Sequence, residues 1–263
     1  MAAAAPAGAP PSPPSPSLTW TVFSADAGRG GGGDSAAAAQ VLDARQRSKI
    51  DLSDDRLFYS APRFVHHLDA RFRAQLTQLY RERIPEGADI LDLCSSWVSH
   101  LPADRRYGRV TGHGLNAAEL GRNPQLTDFF VRNLNGQPTG WALGDASVDA
   151  VLCVAGMQYM QQPEAVLGEV ARVLRPGGVL IVAFSNRMFY EKAIAAWRDS
   201  TDYGRCVLVK SLILASGAFE EPEVVRGVPL PGQGPLAQLQ QWAQAALAGG
   251  ASDPFFAVVA RRL

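Results

Sequence analysis

Residues 148–184 read VDAVLCVAGMQYMQQPEAVLGEVARVLRPGGVLIVAF and form the most regular pattern in the chain. The apolar run over residues 148–155 is typical of a strand that is buried on both faces. Residues 163–175 have helical spacing, and the Pro-Gly-Gly at residues 176–178 predicts a turn into a second apolar strand at residues 179–184. The inward positions of this helix are Val166, Val170, Val173 and Leu174. A strand, a helix and a strand in this order predict one parallel β-α-β unit.

The rest of the chain repeats this alternation. Further strands are predicted at residues 90–93, 109–112, 129–131, 222–228 and 255–260. Helices are predicted at residues 61–83, 98–101, 117–120, 188–197, 207–215 and 236–247. Because the strands are apolar and alternate with helices, the sequence predicts an α/β fold with a doubly wound, mostly parallel seven-stranded sheet.

The amino-terminal part of the chain has a different composition. Residues 1–50 contain a Pro/Ala/Ser-rich stretch and a Gly-rich run, with few large apolar side chains. Such a segment cannot bury enough apolar surface to fold alone. We therefore expect a disordered low-complexity extension at residues 1–50 and one domain at residues 51–263. A short strand or docking segment at residues 18–23 stays open as an alternative.

Composition and charge limit the classes of partner. Lys+Arg and Asp+Glu are both 25 among 263 residues, so the formal net charge is zero and binding to nucleic acid by bulk charge is not expected. Cys94, Cys153 and Cys206 are scattered, with neither a disulfide framework nor metal-ligand spacing. No apolar run is long enough to span a membrane. We expect a soluble cytoplasmic protein without a metal. The Ala-rich, acid-poor start leaves a chloroplast or mitochondrion as the alternative.

A run of small residues follows the first predicted strand. Residues 88–100 read ADILDLCSSWVSH, in which Asp92 lies near the end of the apolar run and residues 94–96 follow it. In doubly wound folds a ligand lies across this end of the strands, where small residues let the backbone approach it. The chain has no phosphate-binding loop with Gly-Lys-Ser/Thr and no Gly-x-Ser-x-Gly hydrolase elbow. The Gly-rich run at residues 28–33 follows no strand-like segment and is therefore interpreted as a linker and not as a nicotinamide loop.

The pattern around residues 148–184 resembles the core of a class I S-adenosylmethionine-dependent methyltransferase of the type 11 branch. The resemblance rests on Asp149, on residues 156–160 and on the Leu-Arg-Pro-Gly-Gly at residues 174–178. It covers residues 88–184 and extends less clearly toward the carboxyl end. It implies a Rossmann-like methyltransferase fold, S-adenosylmethionine as cofactor and methyl transfer to a small acceptor that the sequence does not identify.

The resemblance also implies a cofactor site, with departures from the family pattern. Asp92 matches the acidic residue of the family's first motif, whose glycine positions fall on Cys94, Ser96 and Val98. Val98 is β-branched and resists the positive φ that glycine adopts. Where the family has a ribose-binding acid after the second strand, this chain has Gly114.

Several polar residues near this site have two interpretations. Asn116 either bonds the ribose or caps the next helix, and His113 either faces the ribose or lies at the surface. Asn133 or Asn135 either accepts from the adenine amino group or forms an Asx turn. The cofactor site implied by the resemblance comprises Asp92, Cys94, Ser95, Ser96, His113, Gly114, Asn116, Asn133, Leu134, Asn135, Gly156 and Met157.

Candidate substrate-side residues precede the core or follow the fourth and fifth strands. They are Tyr59, Arg63, His66, His67, Tyr159, Ser185, Asn186, Arg187 and Tyr190. For Arg187 the alternative is a structural ion pair with an acid, and for Tyr159 it is core packing. One of His66 and His67 is expected to lie against the apolar face of the predicted helix at residues 61–83, and the other is expected to be solvated. No catalytic residue is assigned, because methyl transfer depends mainly on alignment and exclusion of water.

The missing loop glycines and ribose acid support a second hypothesis. The domain is then a non-catalytic methyltransferase-like scaffold that binds a partner or another ligand. In the first hypothesis the partner is a small-molecule substrate, with no nucleic acid and no membrane span. The oligomeric state is open in both.

Overall fold

A seven-stranded sheet forms the centre of the protein, which is described here from a computed structural model covering residues 40–227 and 252–263. The strands are β1 Ile90–Leu93, β2 Val110–Gly114, β3 Asp128–Val131, β4 Val148–Val154, β5 Leu174–Phe184, β6 Glu223–Arg226 and β7 Phe256–Arg261. Their order in the sheet is β3-β2-β1-β4-β5-β7-β6, and β7 is antiparallel to both of its neighbours. The predicted doubly wound, mostly parallel sheet is confirmed.

Helices cover both faces of the sheet. They are α1 Asp55–Phe58, α2 Ala70–Arg83, α3 Ala117–Leu120, α4 Pro163–Val173, α5 Ala195–Arg198 and α6 Asp202–Ala215, with a 3₁₀ turn at Met157–Tyr159. One apolar core joins α4 and α6 to the sheet, and the other joins α2 to its opposite face. Among the described residues, none of the helices has the length and apolarity needed to cross a membrane.

Three helix predictions are wrong in extent. The helix predicted from residue 61 begins at Ala70, because the Asp69 side chain caps it by accepting from the Phe72 amide. Residues 98–101 form no helix: His100 has a φ of +58°, and Pro102 has no amide to donate. Of residues 188–197, the helical part is confined to α5. The Glu191 carbonyl accepts instead from the amides of Ile50 and Asp51.

The other predicted elements need smaller corrections. β2 continues two residues past residue 112, and α6 begins at Asp202, where the Thr201 side chain accepts from the Gly204 amide. The helix expected at residues 236–247 and the segment at residues 18–23 lie outside the described residues.

Residues 40–50 pack against the domain. Leu42 is 1% exposed and belongs to the core beside α4. The Glu164 carboxylate accepts from the Val41 and Leu42 amides at 3.0 and 3.1 Å and forms a two-point ion pair with Arg47. The packed part of the chain therefore begins before residue 51, in the segment whose composition predicts an extension.

Replacing Glu164 with alanine should lower the free energy of unfolding by about 1–2 kcal/mol, because two amides and the Arg47 guanidinium lose their partner. Urea denaturation measures this difference. Glu86→Ala is the matched control, since Glu86 is 68% exposed and lies 3.8 Å from Arg105; it should change stability by less than about 0.5 kcal/mol. Equal effects of the two variants would contradict the anchoring role of Glu164.

Candidate functional site

A cavity of about 690 Å³ opens at the carboxyl ends of β1, β2 and β4. Its volume lies within the range of roughly 300–1,000 Å³ that is typical of small-molecule sites. Residues 59–68, called the strap below, line one side of it, and the segments after β1, β2, β3, β4 and β5 supply the rest. The cavity brings together the predicted cofactor and substrate-side residues except Met157 and Ser185.

The strap is tied to the other cavity walls by three groups. The indole nitrogen of Trp97 donates to the Val65 carbonyl at 3.2 Å, and the Arg63 amide donates to Glu119 Oε1 at 2.7 Å. Asn116 Nδ2 donates to the Tyr59 carbonyl at 2.9 Å. These bonds join the strap to α3 and to residues 94–99, which follow β1 and are called the β1 loop below. The segment that the sequence assigns to a helix thus forms a wall of the cavity instead.

Asp92 is a buried acid in the cavity wall. Its side chain belongs to β1, is 4% exposed and accepts from the Ser95 hydroxyl at 2.7 Å. Burial raises the pKa of the Asp92 carboxyl to about 6, against the opposing effect of the Ser95 and Ser99 hydroxyls. At neutral pH the group is therefore a carboxylate held at an energetic cost.

The β1 loop is held against the end of β2. Cys94 has a φ of +56°, the left-handed region that glycine adopts most easily, and Val98 is not among the described residues with positive φ. The Cys94 amide donates to His113 Nδ1 at 3.2 Å, and the Ser95 amide donates to the His113 carbonyl at 2.7 Å. Of the positions where the family has glycine in this loop, Cys94 thus adopts a glycine-like conformation.

Two glycines make room for this loop. A Cβ at Gly114 would lie 2.7 Å from the Ser95 carbonyl oxygen, and a Cβ at Gly156 would lie 2.6 Å from Cys94 Cβ. Real side chains do not approach so closely. Gly114 therefore occupies the family's ribose-acid position because the β1 loop fills the space that a side chain there would need.

His113 positions the loop. It is 2% exposed, and its ring packs against Phe130 with a centroid distance of 5.1 Å. Because Nδ1 accepts from Cys94, the hydrogen bonds assign the proton to Nε2, which donates to the Arg132 carbonyl at 2.9 Å. The interpretation of His113 as a surface residue is wrong, because the ring is buried and both ring nitrogens are engaged within the protein. His113 lines the cavity, and its contact with the ribose stays a prediction.

The asparagine side chains are also engaged within the protein. Asn116 Oδ1 accepts from the Ala118 and Glu119 amides, so its interpretation as a helix cap is confirmed. Asn133 Oδ1 accepts from the Asn135 amide, which is an Asx turn. Asn135 donates to Asp55 and to the Tyr159 carbonyl and accepts from the Gln161 amide. An adenine that bonds to Asn133 or Asn135 would have to share side-chain atoms that already form hydrogen bonds within the protein.

Glu119 is a cavity residue that the sequence interpretation did not include. It is 8% exposed; Oε1 accepts from the Arg63 amide, and Oε2 accepts from the Ser96 hydroxyl at 2.6 Å. One sequence signal points to it: an acid three residues after the capping Asn116 is the spacing of a capping box, which directs the carboxylate back to the helix start. The helix start lies at the end of β2, beside the cavity.

The substrate-side candidates differ in their environments. Arg187 forms an ion pair with Asp253, so its structural alternative is confirmed. The Tyr159 hydroxyl accepts from the Phe189 amide at 2.9 Å, and Tyr190 is 58% exposed. Met157 is 3% exposed and packs in the core beside α4, so its assignment to the cofactor site is not supported.

The two strap histidines contact aromatic rings. His66 packs against Trp97 at a centroid distance of 4.8 Å, and the edge of His67 meets Phe189 at 5.6 Å. Both are exposed and precede α2, so the expectation that one of them lies against the apolar face of a helix is wrong. Burial lowers the pKa values of both imidazoles.

Residues 92–182 match the sequence model of a family described as a methyltransferase domain. These residues, which are less than half of the chain, carry a methyltransferase domain. The match begins at the buried Asp92 and ends within β5, so it spans the strands whose carboxyl ends form the cavity.

Individual relatives of the methyltransferase domain are distant. A malonyl-[acyl-carrier protein] O-methyltransferase from Hahella chejuensis is 28% identical in an alignment of 177 residues that covers 62% of this chain and 60% of that protein. The chain thus spans less than two thirds of that relative. Among solved structures, a complex of the Haloferax volcanii Trm112 methyltransferase activator with a methyltransferase superposes with a TM-score of 0.51 at 16% identity, covering 73% of this chain and 89% of that one.

A second solved structure superposes with a lower TM-score. An S-adenosylmethionine-dependent methyltransferase from Thermotoga maritima superposes with a TM-score of 0.48 at 18% identity and covers 73% of this chain and 89% of that chain. At 16% identity, the likeness to the Haloferax volcanii complex shows the fold alone.

Proposed function

We propose that this protein transfers a methyl group from S-adenosylmethionine to a small-molecule acceptor. The observation that carries the proposal is the cavity at the carboxyl ends of β1, β2 and β4, with the buried carboxylates of Asp92 and Glu119 in its wall. In open α/β sheets this edge is where nucleotide ligands bind. The residues that match the methyltransferase domain include the carboxyl ends of β1, β2 and β4.

The residues present fit the cofactor. Asp92 would hold the methionine amino group, because an ionised carboxylate is the natural partner of an ammonium. Glu119 would accept from the ribose hydroxyls in place of the family's acid, since a diol requires acceptors and a carboxylate has two oxygens. Leu134 offers an apolar surface for adenine. Gly114 and Gly156 leave the space that the β1 loop occupies.

The chain contributes to the reaction mainly by binding, orientation and exclusion of water. When bound, S-adenosylmethionine supplies an electrophilic methyl group on a sulfonium. The strap and the rings of Tyr159 and Phe189 line the part of the cavity proposed to hold the acceptor. They limit water there and fix the position of the acceptor. The His67 imidazole also lines the cavity; burial lowers its pKa, so it is neutral at pH 7 and able to accept an acceptor proton.

A scaffold that binds another ligand is the second candidate. The commitment of Asn133 and Asn135 to contacts within the protein favours it, since these amides are expected to recognise adenine in the first hypothesis. The two candidates predict different ligands for the same cavity.

Calorimetric titration with S-adenosylhomocysteine and S-adenosylmethionine tests the proposal. We expect both to bind at micromolar concentrations, with release of S-adenosylhomocysteine once an acceptor is supplied. No heat of binding at millimolar cofactor would exclude the enzyme and favour the scaffold. Binding of the cofactor without turnover on any acceptor of a broad panel would leave a cofactor-binding protein and overturn the transfer step.

Glu119→Gln should weaken binding of S-adenosylhomocysteine about five- to tenfold, because a charged acceptor for the ribose hydroxyls becomes a neutral one. Titrations with adenosine and 2′-deoxyadenosine separate this role from a general loss of structure: the variant should lose more affinity for adenosine. Glu82→Gln, on the exposed face of α2, is the control. A loss of equal size for both nucleosides would remove Glu119 from ribose recognition.

A further inference from the structure

Arg63 is a cation on the cavity wall that has no acidic partner. Its Nη2 donates to the Phe58 carbonyl at 2.9 Å, whereas Nη1 is buried and has no hydrogen-bond partner within residues 40–227 and 252–263. No carboxylate of these residues lies within ion-pair distance of the guanidinium, although the backbone amide of Arg63 bonds Glu119. Half-buried charges are normally paired, so this cation lacks its counter-charge.

Aromatic rings surround the guanidinium. Its central carbon lies 4.5 Å from the ring centroid of Phe58 and 5.5 Å from those of Tyr59 and Phe189. The Tyr159 ring lies 6.0 Å from that of Phe189. These rings hold the arginine by cation–π attraction and keep water away from it. In such surroundings a further charge interacts more strongly than it would in water.

Within the described residues, no acid that lines the cavity forms an ion pair with the Arg63 guanidinium. Asp55 pairs with Lys49 at 2.7 Å and lies 3.4 Å from Lys192, and Asp92 accepts from Ser95. Glu119 accepts from the Arg63 amide and from the Ser96 hydroxyl. A second cavity arginine, Arg187, does have its acid, Asp253. A third, Arg132, donates to the Thr139 carbonyl at 2.6 Å. Among the described residues, Arg63 is thus the cavity arginine with a buried nitrogen that has no hydrogen-bond partner, and an acidic ligand would supply its counter-charge.

We propose that Arg63 binds a carboxylate of the methyl acceptor, and that this acceptor is an organic acid with a planar apolar body. A guanidinium matches the flat geometry of a carboxylate, and the rings of Tyr59, Tyr159 and Phe189 offer surfaces on which a planar group packs. Tyr159 and Phe189 lie after β4 and β5, whereas the loop assigned to the methionine end of the cofactor follows β1. This inference rests on the proposed function and specifies its substrate class.

The test is calorimetry on the full chain saturated with S-adenosylhomocysteine. Benzoate, phenylacetate and cinnamate are titrated beside their neutral amides. We expect at least one acid to bind tenfold or more tightly than its amide, and Arg63→Gln to abolish that preference while the amide affinity changes less than twofold. Arg122→Gln is the matched control, because Arg122 stacks on Phe64 at the same 4.5 Å but lies outside the cavity. It should behave as the wild type.

The remaining arms separate the alternatives. If Arg63→Gln instead weakens S-adenosylhomocysteine tenfold and leaves 5′-methylthioadenosine unchanged, the carboxylate belongs to the cofactor and the acceptor assignment is overturned. If the cofactor binds but no acid is preferred over its amide, the inference fails and the proposed function stands. If the cofactor does not bind the wild type, the proposed function fails. If Arg63→Gln does not fold, Arg63→Lys replaces it in the test. Lysine keeps the positive charge but cannot bind a carboxylate in a bidentate manner, so this variant must retain a reduced preference for acids.

Discussion

Asp92→Asn should weaken binding of S-adenosylhomocysteine at pH 7 about 100-fold or more, and it should make the free protein more stable. The affinity falls because a neutral amide replaces the carboxylate proposed to bind the methionine ammonium. The stability rises because the carboxyl is 4% exposed and is ionised at neutral pH against a desolvation penalty. Loss of ligand binding together with a gain in stability is typical of a functional residue.

The pH dependence has a definite sign. The pKa of Asp92 in the folded protein is about 6, above the ordinary value of 3.8, so the folded state binds more protons between these values. The contribution of Asp92 to stability therefore decreases as pH rises through this window and is unfavourable by about 1–3 kcal/mol at pH 7. Urea denaturation should show the advantage of Asp92→Asn at pH 7.5 and a much smaller one at pH 4.5.

Cofactor binding should have the complementary dependence. Wild-type affinity for S-adenosylhomocysteine should fall as pH drops below about 6, where Asp92 becomes protonated, and the affinity of the asparagine variant should not. Asp104→Asn is the control: this carboxyl is exposed, pairs with Arg81 and has a pKa of about 2. Unchanged affinity in Asp92→Asn would place the ammonium site elsewhere.

The fold was predictable mostly where the signal is local. The apolar runs of β4 and β5 depend on neighbours in the chain, and the structure confirms them. The turn predicted at Pro-Gly-Gly, residues 176–178, is wrong: these residues lie within β5, which follows α4 directly, and Gly177 has a φ of +76°. The helix expected at residues 188–197 failed for the opposite reason. Its carbonyl at Glu191 bonds to residues 50 and 51, far away in the sequence. Helical spacing alone does not reveal such a competitor.

The site shows the same division. Asp92 and Gly114 followed from their places at the ends of predicted strands. The engagement of His113 by the Cys94 amide and of Asn135 by Asp55 did not, because each bond joins segments that meet only in the folded chain. Glu119 was missed because the sequence analysis of α3 considered its capping residue, Asn116, but not where the side chain of its third residue would lie. The sequence thus locates the cavity better than it identifies which polar groups are free in it.

Gly156→Ala should destabilise the protein by about 2–3 kcal/mol and weaken S-adenosylhomocysteine binding more than tenfold, because the new methyl group overpacks the cavity floor. Its Cβ would lie 2.6 Å from Cys94 Cβ, 2.7 Å from Cys94 Sγ and 3.0 Å from Cys153 Sγ. Gly168→Ala is the control, since a Cβ at that exposed helical position meets nothing within 4 Å. It should stabilise the protein by up to about 1 kcal/mol.

A second substitution tests the cause. Cys94→Gly removes two of the three clashing atoms and places glycine where φ is +56°. Alone it should be close to neutral, because relief of the left-handed strain offsets the lost thiol packing. With it, the penalty of Gly156→Ala should fall below about 1 kcal/mol, a coupling of about 2 kcal/mol between the sites. If the penalty is the same in both backgrounds, contact with Cys94 does not cause it, and the β1 loop is held at this distance by other groups.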